Sequence, residues 1–206
     1  MASVDSTVLY YIHDPMCSWC WGFRPVWQEV QEALRDEIEI KYLLGGLASD
    51  SQEPMSVDMQ NKIGANWRRI QQEIPDTKFN YEFWNKCLPR RSTYPACRAI
   101  IACKMQDESL EHDMLLAIQQ AYYLNAENPS DESLLIKLAG RIGLDIDSFI
   151  KDIRSDKCQH KLIAEIKYCR DMNINSFPSL LLKRGKSYVL LEIDYNNSNK
   201  ILNQIM

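Results

Sequence analysis

The chain has 206 residues, 46% of them hydrophobic and 25% charged, with a formal net charge of -4. Those values suit a soluble globular protein of one domain, or of one domain with a large insertion. The weakly acidic balance offers no footprint for nucleic acid or an anionic membrane, and seven glycines and eight prolines exclude low-complexity organisation.

Met1 to Thr7 carries no basic leader region, and no segment approaches the roughly 18 apolar residues that span a membrane. The expectation is a cytoplasmic protein, where cysteines stay as thiols unless they are catalytic or metal-bound. There are seven cysteines, too sparse for a disulfide scaffold and odd in number.

Val8–Ile12 is β-branched and aromatic and stops at His13-Asp14-Pro15, as a buried strand does at a turn. A helix is predicted from about Cys17 to Leu34, with Val26, Trp27, Val30 and Leu34 on one face and a kink at Pro25. Ile38–Leu44 reads as a second strand closed by Gly45-Gly46, so the opening is a right-handed parallel strand–helix–strand unit. From about Ala48 to Ser155, helical periods take over. Leu110, Met114, Ala117, Ile118 and Ala121 form one stripe. Leu134, Leu135, Leu138, Ala139 and Ile142 form another, with Ser130 and Asp131 as cap candidates and Gly143 as the stop. Ile146, Phe149, Ile150 and Ile153 make a third, shorter one. A helix over Lys157–Met172 then precedes Phe177-Pro178. Strands at Ser179–Lys183 and Ser187–Leu191 are joined by the turn Arg184-Gly185-Lys186, and a last helix fits Asn196–Ile205. The expected domains are 1–47 with 156–206, and a helical insertion over 48–155.

Cys17-Ser18-Trp19-Cys20 directly follows a strand and opens a helix. A thiol at a helix N-terminus meets unpaired backbone N–H groups and the positive end of the helix dipole, which favour the thiolate. A second thiol three residues on can attack the mixed disulfide formed by the first. Cys17 is the expected attacking thiol and Cys20 the resolving one. Two incidental core cysteines, or half of a zinc site, are the alternatives. Three histidines and a single CxxC argue against a metal site. Proline is tolerated at the first residue of a strand, as at Pro178. A cis bond there would free the preceding backbone groups for an extended substrate, and a trans turn is the commoner state. His13 and Asp14 are the nearest titratable groups. They are candidates for tuning Cys17 or relaying its proton, or are simple turn residues.

The blocks Asp14-Pro15-Met16-Cys17-Ser18-Trp19-Cys20-Trp21-Gly22-Phe23, Tyr94-Pro95-Ala96-Cys97-Arg98-Ala99 and Phe177-Pro178-Ser179 carry a family resemblance. The chain resembles the DsbA-like thioredoxin-fold family, in its cytoplasmic branch of predicted protein-disulfide isomerases similar to FrnE. The resemblance implies an α/β thioredoxin fold with a large all-helical insertion and a redox pair at Cys17 and Cys20. It also implies a cis-proline at Pro178 facing them, with Phe177 beside the substrate. DsbA oxidants usually carry Pro-His between their cysteines, and this chain has Ser18-Trp19. Trp19 offers an apolar face to a peptide or small thiol instead.

The expected activity is thiol–disulfide exchange with protein or small-molecule thiols and disulfides. No cofactor is expected to be bound, and glutathione is the candidate redox partner. Arg90-Arg91 and Trp67-Arg68-Arg69 are either solvated basic spots or contacts for its carboxylates. Two other classes compete: a glutathione-dependent transferase or isomerase of the kappa or 2-hydroxychromene-2-carboxylate type, and a non-enzymatic peptide-binding module. The transferase class typically has serine in place of Cys17. Of the remaining cysteines, Cys158 and Cys169 fall on one apolar helix face and read as core. Cys97 is a candidate for lining the substrate groove. Cys87 and Cys103 have no assigned role, and the oligomeric state is open.

Overall fold

The computed structural model describes residues 7–206, so the leader reading of the first six lies outside it. Strand β1 (Thr7–His13) is followed by helix α1 (Ser18–Leu34) and strand β2 (Glu39–Leu44). Seven helices come next: α2 (Val57–Glu73), α3 (Phe83–Lys86), α4 (Tyr94–Gln106), α5 (Glu111–Tyr123), α6 (Glu132–Arg141), α7 (Ile146–Ile153) and α8 (Asp156–Asp171). Strands β3 (Ser179–Arg184) and β4 (Ser187–Leu191) and helix α9 (Ser198–Ile205) complete the chain.

The four strands form one sheet in the order β2-β1-β3-β4. β1 runs parallel to β2 and antiparallel to β3. A strand buried on both faces needs apolar residues at consecutive positions, and Val8, Leu9, Tyr11 and Ile12 are all buried. Alternation sends Leu9 and Tyr11 into the main core, where the Tyr11 ring stacks on Trp27 of α1 at 4.6 Å. Ile12 points the other way, into a smaller cluster with Cys169, Ile174 and Leu181 under α8. The sheet is therefore covered on both sides, as the expected α/β class requires.

The helical region between β2 and α8 has its own aromatic centre. Trp67 of α2 is fully buried, with the rings of Phe79, Tyr81, Phe83, Trp84, Tyr122 and Tyr123 between 4.9 and 6.1 Å away. The basic spot read at Trp67-Arg68-Arg69 is thus divided: the arginines are exposed and the tryptophan is core.

Local chemistry explains where elements differ from the expected bounds. Asp131 stands at the N-cap of α6, but its carboxylate pairs with Arg90 instead of capping. The last helix starts at Ser198 because Asn197 caps it, while the Asn196 side chain reaches across to the Glu73 carbonyl. α1 runs unbroken through Pro25. Cys158 and Cys169 lie on the buried face of α8, as the spacing predicts, and all seven cysteines are free thiols. Cys87 ends α3, with its thiol donating to the Ala126 carbonyl at 3.2 Å. No helix among the described residues is long and apolar enough to cross a membrane.

Truncating a fully buried aromatic removes its transfer energy and leaves a cavity. Trp67→Ala should therefore cost about 3–5 kcal/mol, read from urea denaturation. A loss under about 1 kcal/mol would show that the aromatic centre does not support the fold.

Candidate functional site

The loop His13–Cys17 carries the parallel strand–helix unit over the end of the sheet. Cys17 occupies the N-cap position of α1 in extended conformation, and the helix has no side-chain cap. Its sulfur therefore stands at an uncapped helix N-terminus. The thiol donates to the Phe177 carbonyl at 3.3 Å, and the Phe177–Pro178 peptide bond is cis. Cys17 is 6% exposed and Cys20 1%. The expected order of exposure holds, though Cys17 itself is largely sheltered. Burial first, and then the neighbouring Cys17, push the Cys20 thiol well above the ordinary cysteine range.

Asp14 organises this loop. It is fully buried, and its Oδ1 accepts from the Met16 N–H at 2.8 Å. Its Oδ2 accepts from the Leu47 N–H at 2.7 Å, the Thr93 hydroxyl at 2.6 Å and the Cys97 thiol at 3.6 Å. One carboxylate thus ties the CxxC loop to the chain after β2 and to the start of α4. Burial raises the Asp14 pKa, and the bonds from Thr93, Leu47, Met16 and Cys97 oppose the rise.

His13 sits inside the core instead. It is 0% exposed, stacks on Tyr11 at 5.1 Å and meets Tyr42 edge-on. Neither ring nitrogen has a hydrogen-bond partner, and burial pushes its pKa down to about 3, so the imidazole is neutral. It has no route to the Cys17 sulfur through a hydrogen bond. The Tyr11 phenol is likewise fully buried, and burial first, then the neighbouring Cys20, push its pKa well above the ordinary phenol value.

Beside Cys17 lies a cleft of about 180 Å³. Met16, Ser18 and Trp19 form one wall and Phe177 another, while Met55, Ile63, Asn66 and Arg91 overhang it from the helical region. The Trp19 ring lies 5.0 Å from Tyr195 and has the Arg69 guanidinium 5.4 Å above it. The Phe177 ring rests on Gly45, where a Cβ would fall 1.9 Å from it. That close approach is why glycine stands there. Arg90 is committed to Asp131 and the Ser130 carbonyl, while Arg91 stays exposed on the rim.

The site therefore gathers Cys17, Cys20, Trp19, Phe177 and Pro178, as the sequence expects. It sets Asp14 beneath the loop and leaves His13 in the core. Cys97 lies behind Asp14, fully buried, and does not line the cleft. Thr93, Tyr195 and Asn66 escaped the sequence reading, and Arg69 was read only as part of a basic spot or a carboxylate contact. Of these, Thr93 had a signal, since it immediately precedes the Tyr94-Pro95 block. Among the described residues no group of three or more histidine, cysteine or acidic side chains could hold a metal ion.

A family model described as Thioredoxin matches residues 10–192. The chain belongs to this thioredoxin family. The fold is DsbA-like. A candidate protein disulfide isomerase from Nitrosomonas europaea superposes with a TM-score of 0.85 at 26% identity, covering 97% of this chain and 96% of that one. The cytosolic disulfide reductase DsbM from Pseudomonas aeruginosa gives 0.75 at 20% identity, covering 90% and 89%, and a second structure of it holds GSH. Among curated proteins, the ClpXP adapter protein SpxH of Halalkalibacterium halodurans is 23% identical over 177 residues, which are 84% of this chain and 57% of the relative. The chain spans less than two thirds of the length of such adapters.

The raised Asp14 pKa sets a sign for stability. The folded state holds the proton above the pH at which the unfolded carboxyl releases it. Stability therefore falls as pH rises through that window and is level above it. Asp14→Asn removes this slope. It also turns an amide donor toward donors, costing about 1–3 kcal/mol at neutral pH. Urea midpoints of wild type and variant across pH 3–8 read both effects. Parallel curves would contradict the assignment.

Proposed function

We propose that the chain is a thiol–disulfide oxidoreductase in which Cys17 is the nucleophile and Cys20 the resolving thiol. The observation that carries it is the paired free thiols at the uncapped start of α1. One opens on a cleft and the other is buried and held protonated. The Cys17 thiolate attacks one sulfur of a disulfide. A Cys17–substrate bond forms, and the other sulfur leaves as a thiolate that takes up a proton. Cys20 then gives up its proton, its sulfur attacks Cys17 Sγ, and the substrate leaves as a second thiol. The products are a Cys17–Cys20 disulfide and two thiols. Two electrons from an external thiol, such as two equivalents of glutathione, reset the pair. The thiols carry both electrons, so no bound cofactor is needed.

Trp19 and the Phe177-Pro178 backbone form the substrate walls in this reading. Arg91, at the open rim, is suited to a carboxylate of an anionic disulfide such as oxidised glutathione. Asp14 acts through the loop, as a positioning residue. A reducing, cytosolic setting fits the reductase direction, and the fold shared with DsbM, solved with GSH, supports that choice. Isomerase action would use the same mixed disulfide, with a substrate thiol resolving it in place of Cys20.

The curated relatives named as ClpXP adapters favour a second reading, a protein-docking module built on the same groove. Retention of both thiols favours the redox reading over the transferase and isomerase class that carries serine at this position.

Reduction of insulin with glutathione as electron source separates these readings. Cys17→Ser should abolish turnover and Cys20→Ser should leave a trapped mixed disulfide. Equal activity in wild type and Cys17→Ser would defeat the proposal. Arg91→Ala should raise the KM for oxidised glutathione about fivefold at unchanged kcat, the size of one exposed ion pair. An unchanged KM would remove Arg91 from the binding role.

A further inference from the structure

The free edge of the sheet has a pattern that the redox chemistry does not use. β4 is outermost in the order β2-β1-β3-β4, and among the described residues no strand pairs its outer side. Edges are normally guarded by charge, proline, a bulge or a covering segment. Ser187-Tyr188-Val189-Leu190-Leu191 carries neither charge nor proline, and Tyr188, Val189 and Leu190 are 39%, 53% and 60% exposed.

The hairpin turn decides which backbone groups face outward. Arg184 and Ser187 flank the two-residue turn Gly185-Lys186 and pair with each other. In such a hairpin the flanking pair exchanges both hydrogen bonds. Alternation then aims the groups of Val189 and Leu191 at β3, and those of Tyr188 and Leu190 outward. The same parity turns Glu192 outward, and there the Gln204 side chain already satisfies it. The Glu192 N–H donates to Gln204 Oε1 at 2.8 Å, and Gln204 Nε2 donates to the Glu192 carbonyl at 3.0 Å. The bare edge is thus Tyr188–Leu190, flanked by the exposed charges of Lys186 and Glu192.

That stretch is complementary to itself. Antiparallel pairing centred on Val189 sets Tyr188 opposite Leu190 of a second copy, and Leu190 opposite its Tyr188. All the outward groups of both residues are used. The same register sets Lys186 opposite Glu192 of the second copy, twice by symmetry. Sliding to a Tyr188–Tyr188 or Leu190–Leu190 centre loses both ion pairs and sets an apolar residue against a charge. We propose that β4 pairs with β4 of a second copy of this chain, in the register centred on Val189, to join the two sheets into one. Such an isologous contact closes as a dimer. β4 ends beside Leu180, near Pro178, so antiparallel pairing places the two clefts at opposite ends of the joint sheet and leaves both open.

The edge is short, so the dimer is in concentration-dependent equilibrium. Sedimentation equilibrium of the full chain should show a mass rising from 24.0 kDa toward twice that value with concentration. Lys186→Glu and Glu192→Lys should each weaken association about tenfold, and the double variant should restore it, because opposite charges face each other again. A mass of one chain up to millimolar concentration would overturn the proposal. So would a dimer indifferent to either single reversal, or a monomer whose β4 accepts only a foreign extended peptide.

Discussion

The site depends on one buried carboxylate. Asp14 is taken out of water and receives donors from Met16, Leu47, Thr93 and Cys97. An unpaired charge at that depth would cost several kcal/mol, so the carboxylate holds all four donors together. Three of them come from other parts of the chain: the segment after β2 and the start of α4. The helical region is thereby latched over the CxxC loop, and the cleft beside Cys17 exists because of that latch. Residues from both sides line it, Met16 and Trp19 below and Asn66 and Arg91 above.

A second constraint divides the labour between the two thiols. Both lie at the start of α1, one turn apart, yet a single turn takes Cys20 into the core and out of water. Burial raises the Cys20 pKa well above the ordinary cysteine range, which in the proposed chemistry holds its proton until Cys17 carries the substrate. Cys17 lines the cleft, with its thiol against the Phe177 carbonyl. The asymmetry comes from depth, with His13 sealed in the core and taking no part.

Much of this was legible in the sequence because it is local. The strand before Cys17, the helix after it, the hairpin around Gly185 and the buried face of α8 each follow from periodicity and turn chemistry over a few residues. The features that were not legible are long-range. Asp14 and Thr93 are separated by 79 residues, and nothing in their neighbourhoods records that they meet. Asp14 read as a turn residue or a tuner of Cys17 because sequence shows polarity but not depth. His13 carried the same open reading, as a tuner or proton relay for Cys17 or a simple turn residue, for the same reason. Helix α2 went undelineated because its buried residues, Gly64, Trp67 and Ile70, make a narrow stripe among polar ones. The overhang of Asn66 and Arg91 depends on how the helical region docks, and no local pattern encodes that.

The most direct test is intact-mass analysis of a Cys20→Ser chain incubated with oxidised glutathione, followed by peptide mapping. With the resolving thiol gone, the account predicts one glutathione per chain, held at Cys17, while the other five thiols stay free. Adduct formation at Cys87 or another cysteine, or none at Cys17, would contradict it.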